Sequence, residues 1–194
     1  CTDGVFVDGQ MLASGDYSGP AGARSVLRNA KVETAVLETA RGGLLRRGLA
    51  VAHADAAIVT NISADHFGEY GIDDLDGLAD TKMIVARALD SQGVLVLNAD
   101  DALLQKRGQG LRCHLAWFSL DDDNVLLCTH RGNGGATCGV LDDRLMLSHG
   151  ESRIDLGSVV AMPLSALGHA TYNISNMAGA TLLADALGVA AMTI

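Results

Sequence analysis

Residues 55–101, DAAIVTNISADHFGEYGIDDLDGLADTKMIVARALDSQGVLVLNADD, decide the fold class. Two short, continuous apolar runs, AAIVT and VLVLN, are each followed by polar residues, and they enclose a stretch with helical spacing. Leu75, Leu78, Val85 and Leu89 recur there at steps of three and four, with acidic residues in the first turn, where the helix dipole favours them. Strands that are apolar throughout are buried on both faces, as in a parallel sheet covered by helices; an antiparallel strand with one wet face alternates instead. Working upstream, TAVLE (34–38) reads as another buried strand, and TARGGLLRRGLA (39–50) as a glycine-marked turn opening a helix. AGARSVLRN (21–29) has helical periodicity, and Asp8-Gly9 within residues 4–12 reads as the tight turn of a strand or hairpin.

Downstream, residues 111–163 break into CHLAWFS, NVLLCTH, ATCGVL, RLMLS and SRIDLGSVVAM, separated by DDD, GNGG and DD. These short segments predict an antiparallel β meander appended to the parallel sheet. An alanine-rich helix is expected over 174–187. The expected architecture is α/β, a mostly parallel helix-covered sheet, with residues 1–194 forming one domain and 111–163 an antiparallel subregion within it. The chain opens with CTDGVFVDG and stops at GVAAMTI, so it reads as a piece of a longer protein.

The composition excludes several function classes. Fourteen Lys+Arg against 23 Asp+Glu give a net charge of −9, the opposite of what phosphate neutralisation requires, so nucleic acid is not an expected partner. No apolar run approaches the roughly 20 residues of a membrane span, and no membrane partner is expected. Four cysteines without CxxC spacing are too few for a disulfide scaffold; reduced thiols in a cytoplasmic protein are the plain expectation. There is no GxxxxGK[ST] loop and no GxSxG elbow, and the GNGG of 132–135 reads as a hairpin turn.

In doubly wound sheets, ligands bind beyond the carboxyl ends of the strands. Three expected strands deliver polar residues there: Glu38, then Asn61, Asp65 and His66, then Asn98, Asp100 and Asp101. A carboxylate, an imidazole and amides suit a divalent cation that also holds phosphates. Spacing alone leans to the plainer reading, in which Glu38 caps the next helix and His66 is a loop residue. Lys82 falls on the stripe of Leu75, Leu78, Val85 and Leu89, where an ammonium must snorkel, pair with an acid or lose its charge.

The ordered set LETARGGLLRRGL, AIVTNISADHFGEYGI, VLVLNADD and GHATYNISNMAGATLLADALG resembles the central ATPase domain of Mur ligases. GDYSGPAGARSVLRN followed by VLETARGGLLRRGL resembles, within that family, the Mur-ligase-like module of cyanophycin synthetases. The resemblance implies a P-loop NTPase-like fold and an ATP- and Mg2+-dependent ligase that joins a carboxylate to an amine through an acyl phosphate. For that module it implies addition of arginine to aspartate side chains of a polymer. It implies that Glu38 and His66 hold magnesium, that Lys82 is carbamylated and supports the metal, and that Asn173 and Asn176 approach the adenine. Asn98 and Asp101 are implied to lie near the nucleotide. The family's GTNGKT phosphate loop is expected upstream of Cys1 and its C-terminal domain beyond Ile194, so this piece is not expected to turn over alone. Tyr172 stands where the family usually has His. Open alternatives are another Mur-type ligase, acting on a peptidoglycan precursor or γ-glutamyl chain, and a Mur-like binding module without turnover. Homo-oligomerisation of the full-length form also stays open.

Overall fold

The structure, a computed structural model, describes residues 1–64 and 71–194. The chain divides into two compact units, one of Cys1–His53 with His66–Ala88 and the other of Ala54–Asp65 with Leu89–Ile194.

The first unit opens with a hairpin, β1 (Gly4–Val7) and β2 (Gln10–Ser14). Val7 pairs with Gln10 across Asp8 and Gly9, whose φ values of 50° and 73° make the two-residue turn expected from the Asp-Gly signal. Helices α1 (Pro20–Leu27) and α2 (Arg41–Arg47) follow. Gly22 is required at its place because a Cβ there would lie 2.1 Å from the Tyr17 carbonyl oxygen. Helix α3 (Leu75–Lys82) starts at Asp74, whose carboxylate accepts the Gly77 amide at 2.7 Å. The helical spacing that continues to Leu89 in the sequence instead tightens into a 3-10 segment at Met83–Ala88. Thr81 donates its hydroxyl back to the Gly77 carbonyl at 2.9 Å, the kind of side-chain competition that bends a helix near its end.

TAVLE corrects the sequence expectation: residues 35–40 have no regular secondary structure, and Val36 is 79% exposed. An apolar run becomes a strand only when a neighbour completes its hydrogen-bond ladder, and no described strand pairs with it.

The second unit is a six-stranded sheet in which sequence order is also spatial order. Strands β3 (Ala56–Val59), β4 (Val94–Asn98), β5 (His114–Phe118) and β6 (Ala136–Leu141) are parallel, and β7 (Arg144–His149) and β8 (Ser152–Ser158) continue antiparallel. CHLAWFS is therefore a strand as expected, but it belongs to the parallel part. NVLLCTH is a helix, not a strand: α5 (Val125–Gly132) begins where the Asn124 side chain accepts the Leu126 amide at 2.9 Å. Leu127 is fully buried while Val125, two residues earlier and on the same face if this were a strand, is 81% exposed. The meander is thus confined to β6–β8, turned first at Asp142-Asp143, both with positive φ.

Helices cover the parallel part on both faces. Val96, Ala116, Phe118 and Cys138 pack with Ile174, Ala178 and Leu182 of α6 (Thr171–Ala186). Gly179 lets α6 approach, since a Cβ there would meet Ile58 at 2.7 Å. The alternate residues Leu97 and Trp117 face Gly108 at the end of α4 (Ala102–Gly108), and α5 lies against β5 and β6. Among the described residues, no helix is long and apolar enough to cross a membrane.

Candidate functional site

In the second unit the loops that leave the carboxyl ends of β3, β4 and β5 are sewn together by three side chains of one motif, Asn98-Ala99-Asp100-Asp101. Asn98, 8% exposed, donates its side-chain amide to the Thr60 carbonyl at 3.0 Å and accepts the Asp100 amide at 2.8 Å. One oxygen of Asp101 caps α4 by accepting the amides of Leu103 and Leu104 at 2.9 and 3.1 Å. Its other oxygen accepts the Ile62 amide at 2.6 Å. Asp100 turns the other way, accepting the Ser119 hydroxyl at 2.6 Å and the Leu120 amide at 2.8 Å beyond β5. Asn98 and Asp101 are therefore brought together at the edge where parallel sheets bind ligands, and both are engaged in holding that edge.

Asn173 and Asn176 lie three residues apart on α6 and so share a face of the helix. Asn173 is half-buried and donates its side-chain amide to the Leu164 carbonyl at 2.8 Å, whereas Asn176 is exposed.

Glu38 and Lys82 belong to the first unit. Glu38 is exposed in the extended stretch before α2 and accepts the Thr2 amide at 2.9 Å. It stands at the rim of a cleft of about 110 Å³ with Val5, Tyr17, Val26 and Leu37 among its walls. The two motifs of this unit meet nearby, where Ala40 donates its amide to the Ser18 carbonyl at 3.0 Å. Asp16 in the same loop is held below the usual carboxylate range by the Ser18 hydroxyl and amide that donate to it. Lys82, the last residue of α3, is half-buried. His66 lies outside the described residues. Among the described residues, no three His, Cys, Asp or Glu side chains gather as a metal site.

Sequence reasoning missed one charged cluster. Asp122, in the loop after β5, is fully buried between two arginines. Arg131 of α5 donates to its Oδ1 at 2.9 Å and to its carbonyl at 3.0 Å, and Arg153 of β8 donates to Oδ2. The cluster ties the helix, the loop and the meander together. All four cysteines are free, and burial raises the Cys113 and Cys138 thiols, so neither is suited to act as a nucleophile.

Residues 14–184 match the Mur ligase middle domain family. The chain is 34% identical over 188 residues to the cyanophycin synthetase of Geminocystis herdmanii, covering 97% of this chain and 22% of that protein. It is 36% identical over 183 residues to the cyanophycin synthetase of Trichormus variabilis, covering 94% of this chain and 20% of that protein. A shorter stretch of 53 residues, 27% of this chain and 11% of the relative, is 47% identical to the UDP-N-acetylmuramoylalanine–D-glutamate ligase of Chlorobium luteolum. The chain spans about a fifth of the length of the cyanophycin synthetases it matches.

Proposed function

The chain belongs to the Mur ligase middle-domain family, and from that premise we propose that it is the central section of an ATP-dependent amide ligase of the cyanophycin synthetase type. The observation that carries the reading is identity of 34–36% running along nearly the whole chain, so that both units, and not one shared motif, correspond. The sewn carboxyl edge of β3–β5 supports it, because a nucleotide site needs loops held in fixed relation at that edge.

The reaction assigned here has two steps. A substrate carboxylate attacks the γ-phosphorus of ATP, the bond to the bridging oxygen breaks and ADP leaves, giving an acyl phosphate. An amine then attacks the acyl carbon, the C–O bond to phosphate breaks, and the nitrogen gives up a proton as the amide forms. The carboxylate is assigned to an aspartate side chain of a polymer and the amine to arginine. Magnesium, when bound, neutralises charge on the transferring phosphoryl group. Glu38 fits such an ion by the chemistry of its donor: it is a hard carboxylate, exposed, with one oxygen oriented by the Thr2 amide. His66 and Lys82 are assigned to the second metal position, Lys82 as its carbamate, which would replace a half-buried cation by an anion. The GTNGKT loop that would complete the phosphate cradle is assigned to sequence preceding this chain in the full-length protein.

The test is phosphate release by the full-length protein with ATP and magnesium. Release requiring both an aspartate polymer and arginine is the expected result. Release driven by UDP-N-acetylmuramoylalanine and D-glutamate, the pair in the name of the Chlorobium relative, would replace the polymer assignment, and absence of any ATP-dependent release would overturn the ligase reading. Lys82→Ala is expected to cut the rate by about 100-fold or more, with partial recovery in added acetate. A rate within about twofold of the unaltered protein at limiting magnesium would show that Lys82 only snorkels.

A further inference from the structure

We propose that the outer face of α1, together with the end of α2, is a docking surface for the acidic acceptor polymer, its arginines engaging aspartate carboxylates that await the amine. The proposal rests on the ligase reading above and names where the acceptor is held. Charge in this chain is segregated. Residues 20–47 hold six Lys or Arg against two Asp or Glu, which leaves eight against 21 for the remainder. Elsewhere cations are drawn into pairs: Arg131 and Arg153 hold Asp122, and Arg144 holds Asp155. Arg24, Arg28, Lys31 and Arg47 are exposed, and among the described residues none of their side chains enters an ion pair or hydrogen bond. Four neighbouring cations thus stay unpaired in a chain that has acids in excess.

The fold sets them in a row. Helix α1 buries Ala23 and turns Val26 to the cleft beside β1, so its other face carries Arg24, Leu27 and Arg28 outward at steps of three and four. Arg24 and Arg28 stand one turn apart, about 6 Å. The helix dipole favours a cation in the last turn, but like charges four residues apart repel each other, and Lys31 lies beyond the helix. The dipole therefore does not account for the group. Helix α2 begins against the start of α1: the Ala40 amide donates to the Ser18 carbonyl at 3.0 Å, and a Cβ on Gly43 would lie 3.9 Å from Pro20 Cδ. From that junction the helical rise puts Arg28 and Arg47 at most about 27 Å apart.

These spacings suit an extended acidic chain. Side chains two residues apart on an extended peptide point the same way and lie about 6.8 Å apart, so successive same-side carboxylates meet Arg24 and Arg28 together. Each guanidinium can take its carboxylate through two parallel N–H donors. The row as a whole matches at most about eight extended residues. Leu27, 52% exposed, lies between the two arginines and gives the aliphatic part of the peptide a surface to rest on. A triphosphate concentrates its charge and calls for converging donors, not an open row. Addition of arginine turns the aspartate carboxylate into an amide and brings a guanidinium with its own carboxylate. A residue of charge −1 becomes neutral overall, so the surface holds the unmodified stretch more tightly than the finished one.

The experiment uses the full-length protein and fluorescein-labelled poly-aspartate. Anisotropy gives Kd at low and high salt, and phosphate release gives KM for polymer, arginine and ATP. Arg24→Gln combined with Arg28→Gln should raise Kd and KM for the polymer by about tenfold, flatten the salt dependence, and leave KM for arginine and ATP within about twofold. Arg24→Lys combined with Arg28→Lys keeps the charge without the paired donors and should restore part of the affinity. Arg112→Gln removes an exposed cation of the second unit and should move no constant by more than about twofold. An unchanged polymer Kd in the double glutamine variant would overturn the proposal while polymer-driven release keeps the ligase reading standing. An equal loss from Arg112→Gln would overturn it too, by reducing the effect to net charge. Polymer that binds through Arg24 and Arg28 but never drives phosphate release would bring down the ligase reading and leave the surface standing.

Discussion

Replacing Asp122 with alanine removes one member of a buried charge cluster, and the structure fixes how much that should cost. Both carboxylate oxygens are in use, and the side chain is fully buried. Arg131 is only 12% exposed, so without its partner its guanidinium stays desolvated and faces an emptied site. Removing one partner of a buried pair costs about 3–5 kcal/mol. Arg131 retains its 3.0 Å bond to the backbone carbonyl of residue 122, which the substitution leaves in place, and this argues for the lower end of that range. Arg153 is 38% exposed and can turn to water, so its share is no more than about 1 kcal/mol. The expected loss is therefore about 3–4 kcal/mol, or roughly 10 °C in Tm for a chain of this length. Trp117, the single tryptophan, lies buried in β5 of the same unit, and its fluorescence in a urea titration reports the transition. Arg131→Met in the Asp122→Ala background should recover more than about 1 kcal/mol, because it removes the stranded charge. A loss below about 1 kcal/mol, or strict additivity of the two substitutions, would refute the reasoning.

Asp101→Ala should cost about 2–3 kcal/mol by urea denaturation, combining a helix cap with the charge-assisted bond from the Ile62 amide. Asp101→Asn should recover only the cap, and a loss below about 0.5 kcal/mol for the alanine variant would show that the two loops are not joined through this carboxylate. Gly135→Ala would place a Cβ 2.2 Å from His130 Nε2 and push the ring off the Leu115 carbonyl that it meets at 2.9 Å; about 1–3 kcal/mol is expected, and His130→Ala should abolish the penalty. Burial holds the His130 pKa below the usual value near 6.5, so the folded state takes up its proton less readily than the unfolded chain. Stability should accordingly fall as pH drops through about 6.5, and His130→Gln should flatten that slope between pH 7 and pH 5; an unchanged slope would contradict the assignment.

The parallel part of the fold was legible because each strand carries its own pattern. VLVL is apolar throughout since α6 and α4 cover the two faces of β4, the apolar AAIV packs against α6, and Asp8-Gly9 and Asp74 announce a turn and a helix start by local chemistry alone. The failures share a different physics. TAVLE has the composition of a strand, but pairing is supplied by a neighbour and cannot be read from the run itself. NVLLCTH is ambiguous in period because four apolar residues in a row fit either element. The resolving signal was Asn124 as a cap before the run and His130 and Arg131 in the last turn after it, the charge order a helix prefers.

Asp122 was hidden by its neighbours, because Asp121-Asp122-Asp123 reads as a solvated turn. Only the register that lays residue 122 against Gly139, where a Cβ would come within 2.6 Å of the Asp122 Cα, reveals that the middle carboxylate points inward. The site residues pose the subtler problem. A polar residue after a parallel strand has two roles open to it, holding the loop or meeting the ligand, and the same amides and carboxylates serve either. Asn98, Asp100 and Asp101 spend their oxygens and nitrogens on the loops around them, and Asn173 gives one amide hydrogen to Leu164. A motif match selects such residues without separating the roles, because losing the frame and losing the contact both lower activity. What separates them is the accounting of donors and acceptors: a side chain whose polar atoms are already bonded inside the protein acts on a ligand through the backbone it fixes. By that criterion the NADD motif is scaffold whose substitution should register first in stability.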